Sequence, residues 1–133
     1  MFKRLYFWVL LFLFAFFINI VWEEFHSLLY VHYKGGEITH FILLRASLAD
    51  GFFIVALFAL AFFLKRTWLF PIFAVCLAVS IEWWALGTLR WAYSEAMPII
   101  PFLQTGLTPT IQLALTGTCT YVMSLKMYRR FLN

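Results

Sequence analysis

Asn19, Asp50, Glu82 and Gln112 are polar side chains set singly into four strongly apolar stretches of this chain. Counted inward from the basic flanks at Arg4, Lys65, Arg66 and Lys126, each lies about 14–16 residues in, which is roughly 21–24 Å at 1.5 Å per helical residue. In a hydrocarbon layer about 30 Å thick the four fall at one depth. An ionisable group there costs about 2.5–3.5 kcal/mol on insertion scales, so it faces a partner or a cavity rather than lipid. The pattern predicts a polar site between helices, near the end away from the basic flanks. Two carboxyls crowded into such a site suit a general acid or a proton carrier, with Asp50 and Glu82 as the acid/base pair.

The densest chemistry lies just beyond the first of these positions. Asn19, Glu23, His26 and Tyr30 are spaced 4, 3 and 4, which puts them on one face if the helix continues. Glu24 diverges by about 100° and should meet headgroups or water. Glu-x-x-His is a metal-ligand spacing in helical bundles, but di-iron sites need two such motifs and this chain has one. No metal or other cofactor is assigned from the sequence. His26, His32 and His40 read as interfacial histidines.

Ala74, Ala78, Glu82 and Ala85 form a stripe at spacings of 4, 4 and 3. Small residues let helices approach closely in membranes, so this face, and Glu82 with it, should point into a bundle. Asp50 shares a face with Ala46 and Phe53. Arg45 and Arg90, at the far ends of the second and third apolar stretches, are within reach of these acids, and a static ion-pair network is one reading of the whole set. The other assigns Asn19, Gln112, Glu23, His26, Tyr30, Arg45 and Arg90 to ligand binding.

Composition dictates the elements that must position them. Of 133 residues 65% are hydrophobic and only 12% charged, against about 25% charged in a soluble domain. Seven of the ten basic residues (Lys3, Arg4, Lys65, Arg66, Lys126, Arg129 and Arg130) sit at the termini or in the 65–66 turn, and all six acids lie elsewhere. This bias predicts a multi-pass cell-membrane protein with both termini cytoplasmic, and it explains the net charge of +4 without a nucleic-acid partner.

The expected fold is an all-α, single-domain membrane four-helix bundle. Its spans are 5–22 (extending to 33), 41–64, 68–89 and 108–125. Pro71 is tolerated in a first turn, and Thr108-Pro109 opens the fourth helix. The apolar 91–107 connection, broken by Pro98 and Pro101, should form an interfacial or re-entrant segment. The first span lacks an A-x-A site and is read as retained rather than as a signal peptide. Cys76 and Cys119 read as small apolar residues.

The stretch N-x-x-W-E-x-x-H-S-x-L-Y, residues 19–30, resembles the first segment of small bacterial inner-membrane proteins that bring no known activity with them. The resemblance implies a bacterial inner-membrane location. In size the chain is also similar to small multidrug-resistance transporters, four-span dimers with a membrane-embedded glutamate in the first helix. It departs from them because its carboxylates gather toward one face and its first-helix acids sit at the boundary.

The leading functional reading is a polar cavity, open toward the outer leaflet, that binds and chemically modifies a lipidic or amphiphilic molecule. Membrane lipids are then its partners. The alternatives are a proton- or cation-coupled transporter subunit working as a homo-oligomer, and a structural or assembly protein whose ion pairs hold its helices in register.

Overall fold

The computed structural model describes residues 2–132, with side chains through Phe131. Four helices dominate: α1 (Phe2–His26), α2 (His40–Phe63), α3 (Phe70–Gly87) and α4 (Leu107–Leu132). They run up and down, with α1 packed on α2, α3 on α4, α1 on α4 and α2 on α3, so the four close into a ring. Three stretches, Phe2–Leu29, His40–Phe63 and Thr67–Gly87, are long and apolar enough to cross a membrane. The fourth helix is long enough but less apolar. Its Thr110, Gln112, Thr116, Thr120 and Ser124 are buried, so the residues that lower its apolarity form an inward polar stripe.

The helix ends follow from local chemistry. Thr39 caps α2, its hydroxyl accepting from Ile42 N at 3.3 Å. At the other end Lys65 takes a left-handed conformation (φ 54°), with Arg66 N bonding Ala61 O at 2.9 Å and Lys65 N bonding Phe62 O at 2.9 Å. The same double closure ends α3, where Leu89 (φ 55°) lets Arg90 N reach Ala85 O at 2.8 Å. Pro71 sits in the first turn of α3, where its missing N–H costs nothing.

Core packing is tightest toward the basic end. Phe70 and Phe58 stack with centroids 3.7 Å apart and planes at 4°, and Tyr121 stacks on Phe58 at 4.8 Å. Leu11, Ile54 and Leu113 complete that layer. Gly51 lets α1 pass close by, since a Cβ there would meet Phe12 Cε2 at 3.2 Å. The outward faces carry large apolar side chains, among them Phe17, Phe52, Phe63, Ile72 and Leu115. Cys76 and Cys119 are free and lie on this outer surface.

Three expectations are corrected. The first helix does not continue to Tyr33. It stops at His26, passes through a 3-10 turn at Ser27–Leu29, and becomes strand β1 (Tyr30–Tyr33). The 91–107 connection, expected as an irregular interfacial or re-entrant segment, instead contains paired strands. Its β2 (Trp91–Tyr93) pairs antiparallel with β1, and β3 (Ile99–Ile100) pairs with β4 (Thr105–Gly106). The reason is backbone accounting: outside a helix, an apolar connection meets its N–H and C=O groups most readily in a ladder. The fourth helix also runs two turns past 125, to Leu132.

Candidate functional site

Gln112 organises the site. Its Nε2 lies 3.1 Å from Asn19 Oδ1, 2.5 Å from Glu23 Oε1 and 2.8 Å from Asp50 Oδ2. Three helices, α1, α2 and α4, thus converge on one amide nitrogen. Asn19 is fully buried and held from behind, its own amide donating to Ala15 O at 2.9 Å and to Thr116 Oγ1 at 3.3 Å. Thr116 in turn donates to the backbone O of Gln112 at 2.8 Å, which links it to the same turn of α4.

Hydrogen counting shows what the cluster still needs. An amide NH₂ carries two hydrogens, and here three oxygens compete for them. The carboxyls of Glu23 and Asp50 are close together, because both touch the same nitrogen. The third acceptor is satisfied by a proton on one of those carboxyls or by a donor arriving from outside.

A second cluster forms around Glu82, which is buried on the Ala74–Ala78–Ala85 face as its spacing implied. Its Oε2 accepts from Tyr93 Oη and from Trp91 Nε1, the latter at 3.3 Å. Tyr93 Oη also accepts from Gly106 N at 2.9 Å. Trp91 and Tyr93 both reach this carboxylate because alternate residues of a strand share a side. The Schellman turn after α3 sets the strand's starting point. Burial, and then the bond to Glu82, hold the Tyr93 phenol above its ordinary value of 10.0, so it remains a donor.

Between the two clusters lies a cavity of about 320 Å³. Glu23, Asp50, Glu82 and Gln112 line it, as do His26, Tyr30, Arg45 and Arg90. Of the residues expected at the site only Asn19 is not on the wall, and it acts through Gln112. Its remaining surface is mostly aliphatic and aromatic, including Ile42, Phe53, Ile81 and Leu113. His26 is buried, and among the described residues neither ring nitrogen has a hydrogen-bond partner; its Nδ1 is 4.0 Å from Glu23 Oε1. The Tyr30 ring sits edge-on to it at 4.9 Å. Tyr30 therefore reaches the site, but from a strand rather than along the α1 face. Burial and the nearby Glu82 charge keep its phenol protonated.

The arginines do not do what an ion-pair network requires. Among the described residues neither Arg45 nor Arg90 has a carboxylate within 4.0 Å. Arg90 stacks over the Trp84 ring at 4.3 Å, and Arg45 lies 6.0 Å from the Phe41 centroid. Glu24 diverges from the site as expected and meets His40 Nδ1 at 2.8 Å. Among the described residues no three His, Cys, Asp or Glu side chains come together as a metal site.

Two residues central to the geometry, Trp91 and Tyr93, lie in the 91–107 connection, which the sequence marks only as an interfacial or re-entrant segment. Their alternation was visible as a signal; their partner across the helix end was not. Glu23, assigned to ligand binding from its place on the α1 face, belongs to the Gln112 cluster. No family model, curated protein or solved structure matches the chain.

Proposed function

We propose that this is a multi-pass membrane protein whose intramembrane cavity binds a lipidic or amphiphilic molecule and transfers protons to and from it. The observation that carries this reading is the convergence of two carboxyl clusters with different hydrogen supplies on one apolar-walled cavity. At the Glu23–Asp50–Gln112 cluster acceptors outnumber amide hydrogens, and a proton held there would be available to a ligand. At Glu82, Tyr93 and Trp91 already supply two donors, so the carboxyl can receive a proton as a base.

The chemistry that follows is an isomerisation. Asp50 adds a proton at one position of the ligand, and Glu82 removes one at another. Atoms and electrons balance without a co-substrate. His26, with two free ring nitrogens beside Glu23, is placed to return the proton between turnovers. A cavity of about 320 Å³ is at the small end of ligand sites, so it takes one end of an amphiphile while the remaining chain lies in lipid.

The charge bias supports an orientation with the basic ends cytoplasmic and the strand cap on the outer side, so the ligand would enter from the outer leaflet. The resemblance of residues 19–30 supports a bacterial inner membrane. The unpaired arginines count against a purely structural role for the polar residues.

The test is occupancy. Full-length protein released gently from membranes into a native mass spectrometer should carry one amphiphile per chain. Ala49→Trp, which fills the cavity from its wall and leaves every polar residue in place, should abolish that adduct while the protein stays monodisperse and helical. An unchanged adduct in Ala49→Trp, or none in the wild type, would overturn the reading.

A further inference from the structure

The geometry points to a phosphate-bearing amphiphile as the ligand, its phosphate held by Arg45 and Arg90 at the upper level of the cavity. This inference rests on the binding cavity proposed above and specifies what enters it.

Arg45 precedes Asp50 by five residues on α2, about 7.5 Å along the helix axis, and Arg90 follows the end of α3. Both line the cavity, at its end nearest the strands β1 and β2. The head of a ligand and the carboxyls below it would therefore occupy different levels of one space.

Three features of this level favour a phosphate. First, the arginines stand at the end of the bundle opposite the basic termini and the 65–66 turn, so they depart from the charge bias of the rest of the chain. Second, each is left without a carboxylate within 4.0 Å among the described residues, although three acids line the same cavity. Aromatic rings lie beside them instead: Arg90 stacks over Trp84 at 4.3 Å, and Arg45 lies farther off, 6.0 Å from the Phe41 centroid. The stack holds the Arg90 guanidinium by its face and leaves its N–H edges for an anion. Third, His32 also lines the cavity, and its Nδ1 accepts from Gly35 N at 3.1 Å, so the hydrogen is on Nε2. Two fixed positive charges and an imidazole N–H suit a phosphate monoester, which carries about −1.5 to −2 at neutral pH. The apolar wall below the arginines, with Phe53, Ile81 and Leu113, suits a hydrocarbon chain.

The probes are dioleoyl phosphatidate and dioleoylglycerol, which share their chains and differ in the phosphate. Each is doped at low fraction into phosphatidylcholine nanodiscs holding the full chain, and retained lipid is counted by native mass spectrometry. Phosphatidate should be retained about tenfold or more over dioleoylglycerol, since a charge-assisted bond is worth at least one factor of ten. Arg45→Gln with Arg90→Gln should remove the preference, and the double lysine variant should restore part of it.

Lys34→Gln supplies the control, because Lys34 is at the same end of the bundle and outside the cavity wall. Equal loss from Lys34→Gln would mean general surface attraction and would overturn the assignment. Equal retention of the two lipids would overturn the phosphate and leave the cavity reading standing, whereas retention of neither would overturn both. Displacement of phosphatidate by millimolar glycerol 3-phosphate would identify a soluble phosphate instead and overturn the amphiphile.

Discussion

Gly117→Ala should destabilise the bundle although the same change usually stabilises a helix. In a helix interior, replacing Gly by Ala contributes about 0.5–1 kcal/mol through the unfolded chain and helix propensity. At Gly117 a Cβ would lie 2.2 Å from Phe70 Cζ and 2.8 Å from Cε1, with Ile54 Cγ1 at 3.4 Å. Ordinary carbon contacts are about 3.5–4.0 Å, so the overlap exceeds 1 Å. Phe70 cannot swing away without losing its stack on Phe58 at 3.7 Å, and it is only 1% exposed. Overpacking of this kind costs about 1–3 kcal/mol, so the net loss should be about 1–2 kcal/mol. Gly87→Ala is the control: no atom lies within 4 Å of its added Cβ and its φ is ordinary. Reversible unfolding in mixed dodecylmaltoside–SDS micelles measures both. If Gly117→Ala matched or exceeded the wild type, the α4-to-α3 packing that places Gln112 would be wrong.

Gln112→Leu should cost about 3 kcal/mol in the same assay, because it strips the shared donor from Asn19, Glu23 and Asp50; Thr118→Val, which breaks only an exposed bond to Ala114 O, should cost under about 1 kcal/mol. Tyr93 makes an alkaline limit. Its folded value lies above the ordinary 10.0, so the stability from the neutral phenol is fully present below pH 10 and is lost as pH rises through the folded value. Tyr93→Phe should flatten that alkaline loss, read by unfolding at stepped pH, and an unchanged profile would remove Tyr93 from the Glu82 cluster. Reporter fusions should place residues 1–4, 65–67 and 126–133 in the cytoplasm and 31–40 and 91–106 outside; a turn at 65–66 found outside would reverse the orientation.

Much of the frame was legible because lipid leaves few solutions. A run such as Leu5–Trp22 has no charge, and the small-residue stripe at Ala74, Ala78 and Ala85 shows which way Glu82 must face. Equal depth correctly grouped Asn19, Asp50 and Gln112. It placed Glu82 at their level but could not show that it belongs to a separate cluster, since depth carries no angular information between helices. The ends of α2 and α3 were legible to within about two residues, although Lys65 and Leu89 rather than glycine take the left-handed turns there. The strand launched after α3 had no compositional sign. The β1–β2 pairing joins residues about 60 apart in sequence, and periodicity reports nothing at that range. The service of the Trp91 and Tyr93 polar atoms to Glu82 was therefore hidden.

The central claim is that Asp50 and Glu82 pass protons through a bound amphiphile, and carbon-bound deuterium reads it most directly. Membranes containing the full chain are incubated in D₂O, and their lipids are then back-exchanged in H₂O and analysed by mass spectrometry. One amphiphile should gain deuterium at carbon in a protein-dependent way, and Asp50→Asn and Glu82→Gln should each abolish the gain, while Glu24→Gln leaves it intact. Deuterium no higher than in membranes lacking the protein, or uptake unchanged in folded Asp50→Asn and Glu82→Gln, would contradict the claim.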